Sequence, residues 1–138
     1  MGDNWDNIDL YSTDYVSISY SPNGLFIQAL WKGVISSADF RKTVKKELEY
    51  LEKYNLYKII IDISEFQGSS RPDREYCSKL FKNYTDAKGI RIHAAFVVGK
   101  ENFGSISIEK ILGRVDETSA YLQIFDNLED AIFWITES

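Results

Sequence analysis

Lys58-Ile-Ile-Ile-Asp-Ile63 is a continuous apolar run with one acid near its end. A strand with one wet face alternates apolar and polar side chains. This run does not alternate, so both of its faces meet other elements, as in a parallel sheet covered by helices. Upstream, Ser36 is a good N-cap, and Asp39 at the third helical position makes a short capping box. Phe40, Val44, Leu48 and Leu51 then recur at helical spacing and form the buried stripe of a helix over residues 37–53. Arg41, Lys42, Lys45, Lys46, Glu47, Glu49, Glu52 and Lys53 fall mostly off that stripe and read as a solvated mixed face.

Further toward the N-terminus, Tyr15-Val-Ser-Ile-Ser-Tyr20 alternates with period 2 and reads as a half-exposed strand. Ser21-Pro-Asn-Gly24 is a turn, with Pro22 setting φ and Gly24 free to take positive φ. Leu25-Phe-Ile-Gln-Ala-Leu-Trp31 completes an antiparallel hairpin, which Gly33 ends. Residues 1–14 are polar and acidic with a few apolar side chains, and read as a partly ordered arm.

Downstream of the apolar run, residues 65–71 read as a loop. Pro72 opens a helix whose positive end suits Asp73 and Glu75, and Gly89 closes it. Residues 90–98 make another central strand. A third helix is expected from Asn102 to about Asp116, through Ile108, Ile111, Leu112 and Val115. Tyr121-Leu-Gln-Ile-Phe125 is the last strand. Asp126 or Asn127 caps the last helix, whose inner face is Leu128, Ala131, Ile132 and Ile135. The order β-β-α-β-α-β-α-β-α implies one α/β domain over residues 15–138. Its sheet is expected to be five-stranded, mixed and mostly parallel, with one antiparallel hairpin strand and right-handed crossovers.

Composition narrows the function. The 138 residues carry 16 basic and 21 acidic side chains, a formal charge of −5, which disfavours nucleic acid as a partner. Ala94-Ala95-Phe96-Val97-Val98 is far too short an apolar run to cross a membrane. Met1-Gly2-Asp3-Asn4 opens acidic without an apolar core, so no secretory signal is read and a cytoplasmic protein is expected. One cysteine, Cys77, and one histidine, His93, leave no internal disulfide and no two-histidine or multi-cysteine metal site. No metal and no cofactor are expected.

The chain resembles the SpoIIAA-like, or STAS, superfamily of sulfate-transporter and anti-sigma-factor-antagonist domains. The hairpin, the following helix, and Ile60-Ile-Asp-Ile-Ser64 with a serine-rich loop carry the likeness. It is closer to small stand-alone members from Bacteroidetes-type bacteria, a group without an established activity. Trp31-Lys-Gly33, Asp39-Phe40, Lys53-Tyr54, Asp62, Ser107-Ile-Glu-Lys110 and the segment from Phe125 to Trp134 carry that closer likeness. The resemblance spans about residues 15–136 and implies a bacterial regulatory fold. It departs at one place. Anti-sigma-factor antagonists carry Asp-Ser-Ser-Gly after the third strand, with one serine phosphorylated. Here the loop reads Gln67-Gly-Ser-Ser-Arg71, without the acid before or the glycine after.

The candidate site is the edge formed by loops after the parallel strands, where strand C-termini and helix N-termini converge. Its residues are Asp62, Ser64, Ser69, Ser70, Arg71 and Arg74, as a switch or partner-binding loop. A phosphate on Ser69 or Ser70 would meet backbone N–H groups and two arginines. The plainer reading makes the serine a helix cap and Asp62 a loop-capping acid. Gly99, Lys100 and Gly104 form a secondary edge loop. Gly99-Lys-Glu-Asn-Phe-Gly104-Ser105 has the outer glycine spacing of a phosphate loop but lacks its lysine after the second glycine. Cys77 falls on a buried helical stripe and reads as core, and His93 as a structural histidine in a strand. Trp5, Tyr11, Tyr50, Tyr54 and Tyr57 are aromatics in excess of the expected core. They are consistent with a partner surface or a homodimer, or with rings whose bodies are buried and tips wet.

No catalytic residues are assigned, because no oriented acid–base or nucleophilic group is legible. The expected function is a non-catalytic regulatory or protein-interaction module, with another protein as partner. The alternative is a carrier for a small apolar ligand or lipid, which an apolar cavity of about 300 Å³ or more would favour.

Overall fold

The computed structural model describes residues 7–104 and 120–138. Its elements are β1 (Ile8–Ser12), β2 (Val16–Ser21), β3 (Phe26–Gly33), α1 (Ser37–Lys53), β4 (Lys58–Phe66), α2 (Arg71–Lys88), β5 (Ile92–Val97), α3 (Lys100–Phe103), β6 (Ala120–Phe125) and α4 (Leu128–Thr136). Beyond α3, the helix expected up to residue 116 lies outside the described residues, as do Trp5 and residues 107–110.

The strands form one six-stranded sheet in the order β1-β2-β3-β4-β5-β6. β2 is antiparallel to both neighbours, and the pairs from β3 to β6 are parallel. The sequence anticipated five strands; the sixth is β1, taken from the supposed arm. Pairing of β1 with β2 shifts register between Asp9 and Tyr11, so Leu10 is an extra residue. Such a bulge breaks the period-2 pattern by which a strand is recognised in sequence.

The hairpin forms where expected, with Val16 opposite Trp31 and Tyr20 opposite Ile27. Its turn works differently. Positive φ falls on Leu25, at 58°, and not on Gly24. Gly24 is needed for space, since a Cβ there would sit 2.4 Å from the Phe26 ring. β4 also runs longer than expected, to Phe66, pairing Lys32 with Glu65 and Gly33 with Phe66. The helix caps follow the sequence. Ser36 accepts from Asp39 N, Ser70 from Asp73 N and Asn127 from Asp130 N, and Gly89 closes α2 at φ 66°.

The central strands β4, over residues 58–60, and β5, over most of its length, are buried on both faces, whereas the edge strand β6 leaves Tyr121 and Gln123 exposed. Ile59 joins a core with Ile27, Ala29, Trp31, Ala94 and Phe96, under Phe40, Val44 and Leu51 of α1 and Cys77 of α2. Ile60 points the other way and joins Phe26, Ala95 and Val97 under Ala131 and Ile135 of α4. Burying a side chain such as either isoleucine stabilises the fold by about 1.5–3 kcal/mol, so the run that named the sheet also holds it on its helices. Helices α1 and α2 therefore cover one face of the sheet and α4 the other.

Candidate functional site

On α1, the buried residues are Phe40, Thr43, Val44, Glu47 and Leu51, and Phe40, Val44, Glu47 and Leu51 among them are spaced by 4, 3 and 4. The apolar stripe read from sequence passes through Leu48, which is only partly buried. Glu47, read as part of the wet face, is 1% exposed and belongs to the inner one. The sequence signal was its position, since it lies three residues past Val44 and four before Leu51. The Trp31 indole Nε1 donates to Glu47 Oε2 at 3.1 Å. Burial pushes the Glu47 carboxyl up to about 8, against the pull of that indole N–H. At neutral pH it is mostly the neutral acid, able to donate as well as accept.

Beside Glu47 lies a cavity of about 330 Å³ between the sheet and the two helices. Trp31, Phe40 and Phe66 form one wall, their ring centroids 5.2, 5.5 and 6.4 Å apart. Val44, Ile61, Ile63, Phe96 and Val98 supply aliphatic and aromatic surface, and Cys77 of α2 adds its thiol. Burial, with the neighbouring Glu47, pushes that thiol well above its ordinary pKa, so it stays protonated and unreactive. The lining grades from buried Glu47 and Phe96 to exposed Gln67, Gly68 and Asn102. The cavity thus reaches the surface beside the β4–α2 loop, at the C-terminal ends of β4 and β5, where open α/β sheets place ligands.

The structure divides the residues singled out in the sequence. Ser69, Arg74 and Gly99 line the cavity; Asp62, Ser64, Ser70, Arg71, Lys100 and Gly104 do not. Asp62 Oδ1 accepts from Ser64 N at 3.0 Å and from Ser64 Oγ at 2.6 Å, a local cap that ties both side chains to the strand end. Ser70 caps α2. Arg71 is exposed and pairs with Glu75 at 3.2 Å along its own helix. Lys100 and Gly104 are exposed at the two ends of α3. Arg74 Nη1 donates to the Ser69 carbonyl, pinning the guanidinium over the loop. Its Nε is buried and has no partner among the described residues.

A second polar group braces this end of the fold. Asp73 Oδ1 accepts from Ser37 Oγ at 2.6 Å and from Arg41 Nε at 2.9 Å, linking the first turns of α1 and α2. Burial disfavours its charged form, but the donors Ser37, Arg41 and Ser70 outweigh burial and hold its pKa below the usual carboxylate value. Arg41 in turn lies 4.4 Å over the Tyr76 ring. The two helices that roof the cavity are thus fixed to one another at one end.

His93 sits away from the cavity, edge-on between Tyr57 and Tyr121 at 5.3 and 4.9 Å. Burial, then the nearby Lys58 and Arg91, lower its pKa. Of the aromatics counted as excess, Tyr11, Tyr50 and Tyr54 pack partly on the core, and Tyr57 remains exposed. No described helix is long and apolar enough to cross a membrane. The chain matches no protein-family model and no curated protein.

Proposed function

We propose that this chain is a non-catalytic regulatory module of STAS type whose cavity binds a small, mostly apolar ligand. The observation that carries the reading is the cavity itself: about 330 Å³, walled by Trp31, Phe40 and Phe66, with one buried carboxyl. That volume lies at the small end of the range of ligand pockets, and its apolar lining with a few polar groups is their usual composition.

Three of the side chains that the sequence offers for chemistry or switching are engaged in structural work. The Cys77 thiol is held protonated, Asp62 caps Ser64, and Ser70 caps α2. This favours binding over catalysis, and a ligand over a phosphoserine as the regulating event. Ser69 lines the cavity, so an occupant touches the same loop that a protein partner would read in a STAS-like domain. Partner choice then follows ligand occupancy, in a cytoplasmic protein that needs no metal or nucleotide.

Native mass spectrometry of the protein taken from its source cells tests this. The expected result is a small-molecule adduct that is lost on denaturation and is absent from Val44→Trp, which fills the cavity. Bare chain in the native spectrum, with spectra of the two proteins differing only by the substitution, would refute it.

A further inference from the structure

The polar groups of the cavity are unequal, and their inequality selects among apolar ligands. Glu47 lies inside, bonded to the Trp31 indole and largely uncharged at neutral pH. Arg74 stands toward the loop, always charged, and has no carboxylate partner among the described residues. One of its N–H groups is satisfied by the Ser69 carbonyl, while its Nε is buried and unpaired. A buried donor without an acceptor is a standing cost that an incoming acceptor relieves. The edge of a guanidinium formed by Nε and Nη2 receives a carboxylate in two parallel bonds, which here requires the Arg74 side chain to turn that edge toward the cavity, since Nε is shut off from it as it stands. The other nearby carboxylate, Asp73, is already taken by Ser37 and Arg41.

Resting on the cavity reading above, we propose that the ligand is a small aromatic or branched apolar acid. Its carboxylate lies on the Arg74 guanidinium and its body against Trp31, Phe40 and Phe66. The inner carboxyl, being neutral, does not repel the acid and offers its O–H to a ring heteroatom or hydroxyl at the far end. A cation of the same shape meets the fixed charge of Arg74 at the loop, which is unfavourable. A neutral molecule of the same shape keeps the apolar burial but leaves Arg74 Nε unpaired.

Three probes sharing one ring separate these cases: indole-3-acetate, 3-methylindole and tryptamine, titrated calorimetrically into the full chain. Indole-3-acetate is expected to bind about tenfold or more tightly than 3-methylindole, the scale of one charge-assisted hydrogen bond, with tryptamine weakest. Arg74→Gln should bring the acid down to the affinity of 3-methylindole and leave 3-methylindole unchanged, which also shows that the variant is folded. Equal binding of acid and neutral probe, tighter binding of tryptamine, or an acid preference that survives Arg74→Gln overturns the assignment of an acid while the cavity reading stands. Failure of all three probes to bind overturns the cavity reading and this inference together.

Discussion

Ile60 and Ile61 are adjacent on β4, point to opposite faces of the sheet, and meet different interiors. Ile60 is fully buried among Phe26, Ala95, Val97, Ala131 and Ile135, all apolar and in contact. Ile61 borders a cavity shared with a buried glutamate, a thiol and an arginine. Among the described residues, one sequence thus builds an apolar, mutually packed cluster under α4 and a partly polar interior with a cavity under α1 and α2. Stability explains the first. The second gives up packing contacts and buries an ionisable group, which a fold selected for stability alone has no reason to keep. The proposed ligand site rests on this difference between the faces and on no catalytic motif.

Truncation should separate the faces most. Ile60→Ala is expected to cost about 2–5 kcal/mol, since the packed side chains around it leave the new space open. Ile61→Ala, half-buried beside existing space, should cost only about 1–2 kcal/mol. Urea unfolding of the two variants measures the gap, and equal losses would erase the distinction between the faces.

The buried carboxyl gives the next effect. Glu47 ionises near pH 8 in the folded chain, against 4.5 for an ordinary glutamate. Between those values the folded chain holds more protons than the unfolded one, so stability falls as pH rises. The stabilising difference is complete below about 4.5 and gone above about 8. From about pH 4.5 to 7 the loss should be on the order of 3 kcal/mol. Glu47→Gln keeps an acceptor for Trp31 and should flatten that slope. An unchanged slope in urea melts across this range would place the titrating group elsewhere.

Glu47 and the run from Lys58 also mark what is legible in the sequence. The six-residue run from Lys58 announced a strand buried on both faces because neither face could be polar, and the caps at Ser36 and Gly89 were equally plain. β1 was not, because its bulge at Leu10 spoils the alternation. Glu47 reads as wet because a charged residue on a helix usually is, although its spacing from Val44 and Leu51 puts it on the inner face. The loop from Asp62 to Arg74 lies at the edge of the sheet where the cavity opens, and Ser69 and Arg74 line it. Which side chains cap backbone and which line the cavity depends on the length of β4, which runs to Phe66, beyond the apolar run that signals it. The cavity itself arises between elements distant in sequence, and no local pattern encodes a void.

Enlargement should sharpen the contrast further. Ala95→Leu inserts atoms into the filled face and should cost about 1–3 kcal/mol, whereas Val44→Leu extends into the cavity and should stay within about 0.5 kcal/mol. Thermal unfolding of the pair checks both. The smallest of the expected effects concerns the loop. Ser70→Ala removes the cap of α2 and should cost about 0.5–2 kcal/mol while leaving ligand affinity unchanged, because Ser70 does not line the cavity. A loss of binding larger than the loss of stability would return Ser70 to the site.

The most direct test of a ligand-ready cavity is xenon, which enters apolar cavities of this kind without specific recognition. In 1H–15N spectra under increasing xenon pressure, saturable shifts should gather at the Trp31 Nε1–H and at the amides of Val44, Gly68 and Cys77. Those of Ala95, Ala131 and Ile135 should stay still. Shifts absent from the first group, or spread equally over both faces of the sheet, would contradict the account.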